Sequence, residues 1–265
     1  MRSSRWFVLS LPPLLMACGG GGNSITGMID ETISEIVLVG GPTSFGRINV
    51  IPSVDDVSPQ SFSVSAGFGD EDEIEKGASV SISDGRLLID VRRVEARLDR
   101  SVRVGVSART PRYVEFVGIA DGRLSLSPID SIETIRVRDG ASVKSTSGLR
   151  LPEANVYIEV DSATFEGEFR VGSLDVNGSD AQLGITGTSD RLRMSLVDSR
   201  QLGGFGGEAE TSIDAVRSDV SRICAFGPLS ITAREGTRVV YSRTCPGGAP
   251  SLSLDSSSSV EESDL

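Results

Sequence analysis

Three cysteines, one dense cluster of acids and a set of arginines flanked by acids are the side chains of this 265-residue chain with the clearest chemical capacity. The sequence contains no histidine. That removes imidazole acid–base catalysis, Ser-His and Cys-His nucleophile pairs, and histidine metal sites. Serines are abundant, but no GxSxG elbow and no evident general base accompany them, so Ser142, Ser162, Ser179 and Ser199 read as turn residues whose hydroxyls satisfy nearby backbone groups. Asp70-Glu71-Asp72-Glu73, with Glu75 beyond, places oxygen ligands close together, the chemistry of a Ca²⁺ site, but without EF-hand spacing. A solvated acidic loop is the plainer reading, and calcium binding stays open. Arg191 and Arg193, with Asp190 before them and Asp198 after, imitate the arginine-and-acid sites of β-helical polysaccharide lyases, whereas strand arginines beside acids are more often surface pairs. Asn177-Gly178-Ser179 matches the N-x-S glycan acceptor pattern, but three-residue patterns are common by chance and a plain turn is the favoured reading. No catalytic residue, metal ligand or cofactor is assigned.

The first cysteine is an address. Arg2 and Arg5 form a basic start, and Trp6–Ala17 is a twelve-residue apolar run interrupted by Pro12-Pro13, too short to span a bilayer. It ends in Leu15-Met16-Ala17-Cys18-Gly19, which resembles the lipobox of bacterial lipoproteins, a class cleaved before the cysteine and then lipidated on it. The expectation is a signal peptide over 1–17 and a lipid on Cys18. Residues 18–44 then form an anchored linker and lead-in segment, beginning with a flexible Gly19–Gly22 tether. Cleavage removes two arginines and no acids, so the net charge moves from −11 to −13. An acidic chain without a basic block is a poor nucleic-acid binder. Its partners are expected to be the membrane, through the lipid, and an unknown protein or glycan. Gly19, in place of an inner-membrane retention aspartate, favours the outer membrane.

Cys224 and Cys245 then remain as an even pair in an exported chain, which reads as a disulfide. A metal or redox pair is opposed by the absence of CxxC spacing and of histidine.

The elements that position these groups are strands. Residues 25–39 are ambiguous: Ile29, Ile33, Ile36 and Val37 share a helical face, while Ile36–Val39 also suits a buried strand, and the expectation is a short helix or irregular segment. From residue 47, period two dominates, as in Val102, Val104 and Val106. Asp84-Gly85 between two alternating runs predicts a hairpin turn, and Asp121-Gly122 suggests a second. After residue 130 a loose unit recurs, marked by the nearly evenly spaced serines Ser142, Ser162, Ser179 and Ser199. Such spacing suits a right-handed parallel β-solenoid (a β-helix), with Leu192, Met194 and Leu196 pointing inward and Arg191, Arg193 and Ser195 outward. An antiparallel sandwich, with Asn177-Gly178 as a hairpin turn, is the alternative that the regular spacing disfavours. In a solenoid, Cys224 and Cys245 fall about one rung apart and would clamp the last rung. From Pro246 to Leu265 the Ser-, acid-, Pro- and Gly-rich composition predicts a disordered tail.

Ile48-Asn49-Val50, the Asp84-Gly85-Arg86-Leu87-Leu88-Ile89 segment, the rungs with Ser142, Ser162, Ser179 and Ser199, and the closing Arg238-Val239-Val240-Tyr241 together resemble the auto-transporter adhesin head domain, or head GIN domain, of bacterial envelope proteins. The likeness covers about residues 45–245. This sequence has Asp161-Ser162-Ala163 and Asp198-Ser199-Arg200 where that family favours Ser-Gly repeats. The resemblance implies an all-β head with a smaller antiparallel N-terminal region, rungs from about residue 130, and a non-enzymatic role in adhesion, scaffolding or surface interaction. The alternative function is a glycan-binding or polysaccharide-active β-helix. A groove lined by carboxylates, arginines and an aromatic would favour that alternative; a flat face of scattered charge would oppose it.

Overall fold

The computed structural model describes residues 24–41, 45–52, 60–66, 77–94, 102–108, 111–126, 131–146, 148–242, 244–245, 247 and 249–264. The described chain is nearly all β: a solenoid of about seven turns, preceded by a small antiparallel region.

Three sheet faces run along the coil. The first stacks β6 (Arg86–Asp90), β2 (Glu35–Val39), β8 (Tyr113–Val117) and β10 (Thr134–Arg138) in parallel. It continues through the C-terminal parts of β12 (Leu149–Asp161), β13 (Thr164–Ser179), β14 (Gln182–Val197) and β16 (Phe205–Val216), then β18 (Leu229–Arg234) and β20 (Ser251–Leu254). The second face runs from β7 (Val102–Ala108) through β3 (Phe45–Pro52), β9 (Asp121–Leu126) and β11 (Ser142–Ser145) to the starts of β13 and β14. It ends with β15 (Arg200–Gln201), β17 (Asp219–Ala225), β19 (Arg238–Ser242) and β21 (Ser259–Ser263). The third face is made by the middles of the long strands, where Phe169 is level with Gly187, Gly187 with Phe205 and Phe205 with Ile223. Antiparallel strands close the N-terminal end: β5 (Ser79–Ser83) on β6, and β1 (Ser24–Ile29) on β4 (Gln60–Ala66) on β7.

Parallel stacking in register puts like residue on like. On the first face Leu87, Ile36, Val114, Ile135, Ile158, Val176, Met194, Ile213, Ile231 and Leu252 form one inward column, with only Leu252 substantially exposed. Slipping one strand by one residue would put a polar side chain into that column, so the alternation fixes the register. A neighbouring column passes through Gly178, where an added Cβ would sit 2.9 Å from Leu196, so the glycine makes room for that leucine.

Six successive turns each have a corner with a left-handed non-glycine residue, followed by a left-handed glycine at Gly140 and Gly236. Asp139, Ser162, Asp180, Asp198, Arg217 and Glu235 have φ between 48° and 57°. Asp tolerates this conformation better than most residues. The corner amide is handed to the next turn: Ser162 N–H donates to Ser179 C=O, Asp180 to Val197, Asp198 to Val216 and Arg217 to Arg234. The serine spacing therefore tracked a real period, but only Ser162 is itself a corner; Ser179 precedes one and Ser199 follows one.

Several expectations change. The segment 25–39 is two strands, not a helix, and β2 is inserted between β6 and β8, so the coil begins well before residue 130 and recruits the lead-in segment. Its hydrophobic run is longer than a half-wet strand needs because Val37 is buried on the outward side as well. Asp84-Gly85 does turn the β5–β6 hairpin, both residues having positive φ. Asp121-Gly122 does not: it opens β9, and Asn177-Gly178 lies inside β13. The segment expected to be a disordered tail carries β20 and β21 as a further rung, because the open edges of β18 and β19 supply backbone partners that composition does not register.

Candidate functional site

The outward side of the first face concentrates charge around one buried carboxylate. Outward residues repeat every second position, so Tyr113, Glu115 and Val117 of β8 lie beside Thr134, Arg136 and Arg138 of β10, and these beside Tyr157, Glu159 and Asp161 of β12. Glu115 is only 3% exposed. Arg138 approaches its carboxylate at 2.7 Å, a charge contact rather than an aligned hydrogen bond, and Arg86 lies at 4.0 Å. On the next strand pair Arg136 donates to Glu159 at 2.6 and 2.9 Å and holds its guanidinium carbon 5.7 Å from the Tyr113 ring centroid. Burial pushes the Tyr113 phenol up to about 12, with the adjacent Glu115 charge adding to the shift. Asn177 donates its side-chain amide to the Tyr157 hydroxyl at 2.7 Å. Two tyrosines, three carboxylates and two arginines thus share three neighbouring strands.

The corner carries a second charged stripe. Arg217 bridges two turns, donating to Asp198 at 2.6 and 2.9 Å and pairing with Glu235 on the other side. Those bonds raise the affinity of Arg217 for its proton, and the Arg217 hydrogen bonds hold Asp198 below the usual carboxylate range. A shallow groove of about 590 Å³ runs along this corner between Asp180 and Arg238. Just inside it, hydroxyls form a ladder. Ala181 N–H donates to Ser199 Oγ (3.1 Å), Ser199 N–H to Ser218 Oγ (3.1 Å), Ser218 N–H to Thr237 Oγ1 (3.2 Å) and Thr237 N–H to Ser258 Oγ (3.2 Å). Ser199 and Ser218 donate in turn to the carbonyls of Val197 and Val216, each at 2.7 Å. Every buried hydroxyl there satisfies an amide of the turn before it.

Cys18 and the Asp70–Glu75 acids lie outside the described residues. Cys224 and Cys245 are bridged, with Cα atoms 5.5 Å apart. The bridge is not on the last rung, since β20 and β21 follow it. The arginine-and-acid set around Arg191 is not brought together as one site: Arg191 pairs with Glu210 at 3.4 Å, and Asp198 is taken up by Arg217. Among the described residues no group of His, Cys, Asp or Glu is arranged to hold a metal ion, and no helix is long and apolar enough to cross a membrane. Ser199 does satisfy backbone groups with its hydroxyl as its sequence implies, whereas the Glu115 cluster and the ladder partners Ser218, Thr237 and Ser258 carry no local signal. Tyr113-Val114-Glu115 looks like any alternating strand, and its partners come from other turns of the coil.

No family model matches the chain, and no curated protein matches it. Solved structures do. A Parabacteroides distasonis protein provisionally named as lipid-binding is similar with a TM-score of 0.60 and 15% identity, over 92% of this chain and 98% of that one. A second protein of that organism, provisionally named an adhesin, matches with a TM-score of 0.59 and 14% identity over the same shares. At this identity the likeness establishes a shared fold.

Proposed function

We propose that the protein is a non-enzymatic cell-envelope lipoprotein of the head GIN type, anchored in the outer membrane through a lipid on Cys18 and using its solenoid for adhesion or surface interaction. The observation that carries this reading is the first face: parallel strands in continuous register, rigid on the inside and patterned with charge and tyrosine on the outside. Such a surface suits an extended partner, because outward groups repeat about every 4.8 Å along the coil. The adhesin name of one structural neighbour is compatible with the reading. Two experiments test it. Replacing Cys18 with serine moves the protein from the membrane to the soluble fraction; unchanged fractionation refutes the anchor. Cells carrying the wild-type chain bind surfaces or matrix proteins that cells carrying Tyr113→Ala/Arg136→Ala bind less; equal binding refutes the role of this face.

A glycan partner is the second reading, favoured by the aromatic–arginine–carboxylate grouping of Tyr113, Arg136 and Glu115. A glycan panel probed with the full chain decides it: a hit lost in Tyr157→Ala supports a sugar ligand, and a blank panel opposes it.

A further inference from the structure

The third face holds a feature that neither adhesion nor coil packing requires. A mostly apolar depression of about 570 Å³ lies on its outer surface near the C-terminal end, bounded by Gly204, Gly206, Thr188, Phe226, Arg222 and the Cys224–Cys245 bridge. Its size falls in the range of small-molecule sites, roughly 300–1,000 Å³.

The glycines there differ from others on the same turns. A Cβ on Gly187, Gly203 or Gly207 would come within 1.9–2.1 Å of an atom already in place, so those glycines are demanded by packing. Among the described residues, a Cβ on Gly204 would meet nothing closer than 3.9 Å, and one on Gly206 would stand 3.5 Å from Phe226, Thr188 and the Cys224 carbonyl, ordinary van der Waals distances. Neither residue has positive φ. Among the described residues the space is left open by residue choice, and a leucine-sized side chain at 206 would intrude into it.

The arginine is placed by a local irregularity. The register of β17 against β19 breaks between Val220 and Ile223, and Arg222 inside that bulge has φ 60°. Bulges are over-represented beside binding sites, where they re-aim a side chain. Among the described residues Arg222 has no ion-pair partner. Phe226, which also lines the depression, is 48% exposed, a large apolar group left half in water.

We propose that this depression binds a single acyl chain, with the Arg222 guanidinium holding the carboxylate of a medium-chain fatty acid. The apolar walls take the hydrocarbon, whose removal from water drives binding. The arginine fork supplies the charge-assisted hydrogen bonds that select an anionic head group. This site is independent of the first-face reading.

The test is calorimetric titration of the full chain with decanoate, and separately with decyltrimethylammonium, each below its micelle concentration. Decanoate binds saturably at one site, and the cation of equal chain length binds at least tenfold more weakly. Gly206→Leu and Gly204→Val, each checked for an unchanged β spectrum and thermal midpoint, weaken decanoate at least tenfold by filling the space. Arg222→Gln weakens decanoate at least tenfold while leaving the cation's affinity unchanged. No saturable binding, equal affinity for both amphiphiles, or undiminished decanoate affinity in the folded filled variants overturns the site. Undiminished affinity in Arg222→Gln overturns the head-group assignment. If Gly206→Leu fails to fold, Gly204→Val and Arg222→Gln carry the decision, the first having the emptier surroundings.

Discussion

Removing one rung of the hydroxyl ladder should cost far more than removing a serine from the outside of the same coil. Ser218 is 5% exposed, accepts the Ser199 amide at 3.1 Å and donates to the Val216 carbonyl at 2.7 Å. Alanine at 218 removes both bonds. The Val216 carbonyl keeps the Asp198 amide as a donor, so the loss falls on the N–H of Ser199, a residue only 4% exposed. An orphaned buried donor costs about 1–3 kcal/mol. Ser230, outward on β18, is the control, and its replacement by alanine should stay within about 0.5 kcal/mol of wild type. Urea denaturation without reductant gives both values from midpoints at constant slope. Amide hydrogen exchange adds a local readout, because the Ser199 amide should lose protection in Ser218→Ala before its neighbours do. If Ser218→Ala costs no more than Ser230→Ala, the ladder does not hold the corner and the account of the turn is wrong.

Three further outcomes follow from the same geometry. Replacing Cys224 and Cys245 together by serine should lower stability by about 3 kcal/mol, the chain-entropy value for a loop of this length, and the denatured wild-type protein should show no titratable thiol at either position without reductant. Deleting residues 249–265 removes β20 and β21, strips the amides of Glu235, Gly236 and Thr237 of their partners on Asp255, Ser257 and Ser258, and bares the edges of β18 and β19; a lower thermal midpoint and concentration-dependent aggregation are expected, and unchanged behaviour would show the segment to be dispensable. The Tyr113 phenol, raised to about 12, favours its neutral form in the folded state, so its contribution to stability is intact below the ordinary phenol value of about 10 and is lost as pH climbs from there to about 12. Ultraviolet titration should show a late phenolate step that Tyr113→Phe abolishes; no difference between the two proteins contradicts the burial argument.

The coil was legible from the sequence where one residue decides one local event. Leu192, Met194 and Leu196 alternate with charged and polar residues, and a parallel strand with one buried face needs that alternation; all three are buried. Asp84-Gly85 announced its hairpin because both turn residues must take positive φ. Asp121-Gly122 has the same two letters and sits in a strand, because β9 finds β3 and β11 on either side and the dipeptide has no antiparallel partner to turn toward. The first strands were missed for a topological reason. β2 completes a sheet whose adjoining strands, β6 and β8, come much later in the chain, and nothing within 25–39 encodes that insertion. The last rung was missed because Ser251–Leu254 and Ser259–Ser263 are stabilised by the turn beneath them rather than by their own composition. The Glu115 cluster and the Arg222 depression share this character: each is assembled from separate turns of the coil, so period could be read but contact could not.

Spin-label distances along the first face test the parallel coil most directly. Thr134, Ser212, Ser230 and Ser251 lie in one outward column, with Ser212, Ser230 and Ser251 on successive turns. Labels on Thr134 paired in turn with each of the other three should report separations rising in equal steps of about 4.8 Å, from about 19 to about 29 Å. Distances that fail to increase in that order, or that alternate between short and long as strands running up and down would produce, contradict the coil and everything built on it.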